Sequence, residues 1–163
     1  MEKSRNMKDK LYLFNPFETK KATNTDLRDI YNKVYEDLLD DPNTMYEYSH
    51  NIEVYSNLNY IIGEIIARLT KDVIELKTEI QIKSATKCIE ERNNWNTENG
   101  KQPAMSYFEA LGVRFCEDLI KTQAQKECDL RRFKNAYASM EEKINSLKKK
   151  QDAIKYEEFN EKI

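Results

Sequence analysis

A chain of 163 residues is long enough for one domain, yet only 39% of it is hydrophobic and 34% is charged, so it has little to bury. Three glycines and three prolines are too few for a many-stranded fold, which needs a turn every ~10 residues. A net charge of −2 gives no whole-molecule field for a phosphate backbone, and ten tyrosines, six phenylalanines and one tryptophan exclude a wholly disordered chain.

Charge is uneven along the chain. Residues 1–21 carry six basic and three acidic side chains, a net of +3, and residues 22–57 carry two basic and eight acidic, a net of −6. The acidic segment disfavours a nucleic-acid contact there. Cys88, Cys116 and Cys128 are odd in number and form no close pair, and with no apolar signal segment in view a secreted disulfide scaffold is not the expectation. All three fall within helical patterns, where a buried thiol acts as a small hydrophobe. No apolar run approaches the ~20 residues of a membrane span. The expected location is cytoplasmic.

Residues 1–22 read as an arm. The first ten are polar and basic. Leu11–Phe14 is a short extended piece ended by a turn at Asn15-Pro16-Phe17. The apolar Leu11, Leu13, Phe14 and Phe17 would dock on the helices or on a neighbouring copy. A helical domain over 23–163 follows. Its first helix is expected over 25–40, with Asp26 and Asp29 in the first turn and Leu27, Ile30, Tyr31, Val34 and Leu38 on one face. Asp40-Asp41-Pro42 closes it.

A second helix is expected over 44–94. Tyr48, Ile52, Tyr55, Asn59, Ile62, Ile66, Leu69, Val73, Leu76 and Ile80 alternate gaps of four and three, a heptad seam. Asn59 either fixes register on that seam or sits at its edge. Leu58, Ile61 and Ile65 widen the stripe beyond what two helices need, so they are expected to touch a third helix or another subunit; association between copies is the preferred reading. A tip loop over 95–105 precedes a long helix over 107–157. Ser106 and Glu109 have the spacing of a capping box. Phe108, Leu111, Phe115 and Leu119 share one side, and a heptad runs through Leu130, Phe133, Tyr137, Met140, Ile144, Leu147, Gln151 and Ile154. Two helices of about fifty residues with a short connection imply a long, coiled-coil-like antiparallel hairpin. The fold class is all-α.

Chemistry is sparse in this pattern. His50 has no second histidine or nearby cysteine to share a metal. Glu75 and Glu79 share a helix face, but Lys71, Lys77 and Lys83 surround them, as on a solvated surface. No glycine-rich phosphate loop or nucleophile elbow occurs. We expect no catalytic residue, metal or cofactor. Basic residues are the better candidates. Lys77, Lys83, Lys87 and Arg92 run down the second helix, Lys101 sits at the tip, and Arg131, Arg132 and Lys134 cluster on the last helix, as do Lys148, Lys149 and Lys150. Trp95, beside Arg92 and Lys101, is the candidate platform for stacking a base.

The layout resembles that of phage recombination mediators of the UvsY type. The matching stretch opens at Val54-Tyr55-Ser56, continues through the lysine-bearing 71–92 segment, the polar tip and Met105-Ser106-Tyr107-Phe108-Glu109, and closes with 119–159. The resemblance implies a ring-forming oligomer that binds single-stranded DNA and helps load a RecA-like recombinase. It would place the basic segment on Lys71, Lys77, Lys83, Lys87 and Arg92. The longer arm and acidic first helix depart from that pattern. From the residues, the leading expectation is a non-enzymatic oligomeric scaffold, adaptor or inhibitor with a protein partner. Single-stranded DNA binding is the alternative.

Overall fold

The computed structural model describes residues 14–96, 98 and 100–160. Every regular element among them is helical: α1 (Pro16–Lys21), α2 (Asn24–Tyr35), α3 (Met45–Asn93), α4 (Met105–Phe115) and α5 (Glu117–Asn160). The chain is all-α, with α3 packed on α5. Of the arm residues singled out above, Leu11 and Leu13 lie outside the described residues.

Two compact units divide the chain. One holds the described residues up to Ile66 and from Phe133 onward; the other is Ala67–Arg132. Both draw on α3 and α5, and within each the two run antiparallel. In the first unit Gln151 Nε2 donates to the Met45 carbonyl and to the Ser49 hydroxyl, and Tyr137 lies beside Gly63. In the second, Lys126 Nζ meets Asp72 Oδ2 at 2.7 Å and Cys116 Sγ lies against the Ile80 carbonyl.

The expected turn at Asn15-Pro16-Phe17 is instead the start of α1. Asn15 Oδ1 accepts from the Phe17 N–H, and proline at the first helical position forfeits only an amide that has no intrahelical partner. Thr19 donates its hydroxyl to the Pro16 carbonyl at 2.7 Å and is fully buried. Next, α2 begins at Asn24, one residue before the expected Thr25, because Thr23 and Asp26 close a reciprocal capping box. It ends at Tyr35 rather than 40. The chain beyond is captured by α3: the Asn51 amide bonds both the N–H and the C=O of Leu39, and His50 Nε2 donates to the Asp37 carbonyl at 2.7 Å. Those bonds replace the helical ones that the following residues would otherwise make.

A second reciprocal cap starts α3. Thr44 Oγ1 accepts from the Glu47 N–H, and Glu47 Oε2 accepts from the Asn43 and Thr44 N–H groups. The Asn43 and Thr44 amides hold the Glu47 carboxyl below its ordinary 4.5, and the Thr23 hydroxyl and amide hold Asp26 below 3.8. A carboxyl with a depressed folded pKa adds stability that is complete above its unfolded value and is lost as pH falls through the folded one. The melting midpoint should therefore drop as pH is lowered below the ordinary carboxylate range. Asp26→Asn with Glu47→Gln should drop less steeply over the same window. Parallel acid profiles for the two proteins would rule out the caps as the source.

The core of the first unit forms where α2 lies on α3. Leu27 and Val34 of α2 bury against Val54, Leu58 and Ile61 of α3, with Phe14, Ile30, Tyr31, Ile65 and Met140 around them. Leu58 and Ile61 have no exposed surface. Of the two alternatives for this stripe, a third helix or another subunit, the structure supplies the third helix, α2, rather than the preferred second copy. A short helix supplied the third face because α2 presents its own apolar residues at helical spacing and cannot stand alone.

Beyond the tip the expected helix over 107–157 divides at Cys116. The N-cap is Ala104, without a side-chain cap bond, so the Ser106–Glu109 pair is not used. Cys116 leaves helical geometry, and its N–H turns back to the Val113 and Arg114 carbonyls. Gly112 presses on Ser84 of α3, drawing α4 closer than a side chain would allow. The buried face of α4 becomes Phe108, Gly112 and Cys116, leaving Phe115, expected inside, 61% exposed. Cys88 and Cys116 are buried thiols, whereas Cys128 is exposed, unlike the buried place expected for it.

Candidate functional site

Apart from Lys134 and Lys148, Lys149 and Lys150, which belong to the first unit, the residues expected to meet nucleic acid lie in the second unit, and the structure employs several of them internally. Lys83 pairs with Glu79 at 2.6 Å and Lys87 with Glu91 at 2.8 Å. In each case the hydrogen bond to the carboxylate, then its charge, raises the lysine pKa. Lys87 also lies over the Phe115 ring. Arg92 reaches the Met105 sulfur, and its carbonyl accepts from Gln102. Arg132 lies 3.5 Å from Asp129. Lys77, Lys101 and Arg131 are exposed and have no ion pair among the described residues.

Trp95 is not a bare platform. Its ring packs edge-on against Tyr107 and Phe108, at 6.3 and 6.0 Å between centroids, and its indole N–H donates to the Gly100 carbonyl. Gly100 holds φ 98°, where a side chain would be strained, so the tip closes over an aromatic cluster. The tryptophan pins that closure. Its stacking faces are partly spent on the fold.

Of the expected partner contacts, Leu58, Ile61 and Ile65 serve the core described above. Phe14 lies edge-on to Tyr60 at 5.8 Å, and Phe17 is 76% exposed on α1. Asn59, the polar residue of the seam, is buried, and its Oδ1 has no hydrogen-bond partner among the described residues.

A face missed in the sequence reading lies on the second unit's stretch of α3. Val73, Leu76 and Ile80 turn toward the unit's interior, while Ile74, Ile82 and Ile89 are 59%, 61% and 55% exposed. Thr78 and Ala85 fall between them, and the run Ile74, Thr78, Ile82, Ala85, Ile89 keeps gaps of four, four, three and four. That periodicity was present in the sequence but overlaps the inner seam's own, so one apolar stripe hid the other. Thr78 donates its hydroxyl to the Ile74 carbonyl and turns no unmet donor outward. Lys71–Glu75 and Lys83–Glu79 pairs border the face, and a shallow hollow of about 400 Å³ lies over Ile74, Thr78 and Ile82.

Among the described residues no group of histidines, cysteines and carboxylates is placed to hold a metal, and no helix is long and apolar enough to cross a membrane. The class that these features define is an all-α protein with an uncovered apolar face on its longest helix. No family model, curated protein or solved structure matches the chain.

Proposed function

We propose that this chain is a non-enzymatic interaction protein, an adaptor or scaffold that seats a helix of a protein partner on the outer face of α3. The observation that supports this reading is the exposed stripe Ile74–Thr78–Ile82–Ala85–Ile89. Fifteen residues of helix separate its ends, about 22 Å at 1.5 Å per residue, a length that a partner helix of four turns can cover. Apolar surface gains about 25 cal/mol for each Å² withdrawn from water, so an uncovered strip is a standing drive toward association. A partner with its own apolar residues at i, i+4 and i+7 would interdigitate with it, and the bordering Lys–Glu pairs would select its flanking charges.

The single-stranded DNA reading draws less support, because Lys83 and Lys87 are ion-paired and Trp95 is packed. It retains Lys77, Lys101 and Arg131. The test combines partner recovery with DNA binding. The chain is expected to co-purify with a protein in fixed ratio from its native cells, and Ile74→Glu with Ile82→Glu to abolish this. Both positions are exposed, so the unfolding free energy should stay within about 0.5 kcal/mol of the parent. Retention of the partner by the double variant would overturn the assignment of this face. Salt-dependent binding of oligo-dT, lost on neutralising Lys77, Lys101 and Arg131, would select the nucleic-acid reading instead.

A further inference from the structure

In the first unit, two packed helices present two grooves. One is filled by α2, through Leu27 and Val34. The other is left open by the described residues, a hollow of about 480 Å³ bordered by Asn59 and Tyr60 of α3 and by Tyr137, Glu141, Ile144 and Lys148 of α5. Asn59 is only 7% exposed, yet its Oδ1 has no donor among the described residues. A buried acceptor left unpaired costs free energy that an incoming O–H or N–H would recover.

The helix that borders the groove also carries what would fill it. Asp152, Tyr156 and Phe159 stand at i, i+4 and i+7 on α5, and so share a face. The same helical row continues back through Lys148, Asn145 and Glu141. Tyr156 and Phe159 are 69% and 65% exposed, two large aromatics that no described element of the first unit covers.

We infer that a second copy of this chain lays its α5 antiparallel into the groove, about a two-fold axis near Lys150. Such an axis makes the contact reciprocal, each surface meeting its own image. Lys148 then faces Asp152 of the second copy, and Asp152 faces its Lys148. Ile144 meets Tyr156 of the second copy, and Glu141 lies level with its Phe159. Asn59 lies across the groove from this stretch, so the Tyr156 hydroxyl supplies the donor that its Oδ1 lacks, after a small turn of the amide toward the groove it borders. Within one chain Lys148 has no ion pair among the described residues, and Asp152 has only a 3.5 Å approach to exposed Lys155. The pairing is independent of the outer face of α3, which belongs to the other unit.

The test is the solution mass of the full chain at about 100 μM, where a micromolar association is saturated. The expected mass is twice the 19.4 kDa of one chain. Lys148→Asp alone and Asp152→Lys alone each set like charges against one another across the axis, and each should weaken the dimer at least about tenfold. The double exchange Lys148→Asp with Asp152→Lys restores opposite charges and should restore the dimer. Tyr156→Phe, which removes only the hydroxyl, takes one bond from each of the two symmetric contacts and should weaken it about thirtyfold. All of these side chains are exposed, and an unchanged helical circular dichroism spectrum separates loss of pairing from loss of fold. A monomeric parent, an assembly of more than two chains, single exchanges without effect, or a double exchange that fails to restore pairing would each overturn the two-fold arrangement. A Tyr156→Phe dimer as tight as the parent would overturn the assigned donor.

Discussion

Replacing Gly112 by alanine is expected to lower the melting midpoint by roughly 6–12 °C, about 3 kcal/mol for a chain of this size. Helix propensity alone argues the reverse, since alanine in a helix interior is favoured over glycine by about 1 kcal/mol. The sign is set by packing. A Cβ at Gly112 would overlap the Ser84 carbonyl oxygen, with Ser84 Oγ at 3.0 Å and the carbonyl carbon at 3.1 Å. That carbonyl belongs to the backbone of α3 and cannot swing aside as the end of a side chain can. Relief would require α4 to move outward, opening the packing of Phe108 and Cys116. Gly63 is the matched control. A Cβ there meets only Tyr137 Cε2, at 3.6 Å, an ordinary contact. Gly63→Ala should therefore leave stability unchanged or raise it by up to about 1 kcal/mol. Thermal or urea unfolding of the two variants checks the pair. Stabilisation by Gly112→Ala would mean that α4 does not approach α3 so closely.

Leu58→Ala is expected to cost about 3–5 kcal/mol and Leu27→Ala a similar amount, because both leucines are fully buried in one cluster and truncation leaves a cavity. The two sit on different helices, so a double-mutant cycle reports how α2 is held. A coupling of about 0.5–3 kcal/mol is expected, since once one leucine is gone α2 has less to lose from the other. This measurement also separates two views of the α3 stripe. Were Leu58 a contact between copies, its truncation would alter solution mass more than the stability of the single chain. Ile82→Ala on the exposed face is the comparison, expected within about 0.5 kcal/mol of the parent.

The reach of periodicity is visible in particular residues. A heptad depends only on the order of apolar side chains along one helix, so the extent of α3 was legible to within a residue or so. Pairs such as Gln151 with Met45 and Lys126 with Asp72 agree with the antiparallel packing it implied. The face of α2 was legible for the same reason. Short-range chemistry was misjudged where one signal had two uses. Asn15-Pro16 serves a turn or a helix start, and Ser106–Glu109 keeps capping spacing without being used. The candidate basic site was read in part: sequence located the lysines and set Glu79 beside Lys83, but not Glu91, one helical turn from Lys87, which holds that lysine.

By itself, then, the order of residues determined that this chain is helical, how far α3 runs and which faces of α2 and of the inner seam are apolar, because those properties arise within a few consecutive turns; the break at Cys116 and the outer stripe of α3 were not read from it. Which apolar face is covered and which is left bare was decided only in three dimensions. Leu58 and Ile61 met α2, while Ile74, Ile82 and Ile89 stay more than half exposed. Burial depends on which element arrives at a surface, and in this chain two close approaches settle it: α2 with Leu27 and Val34 on one stretch of α3, and Gly112 against Ser84 on the other.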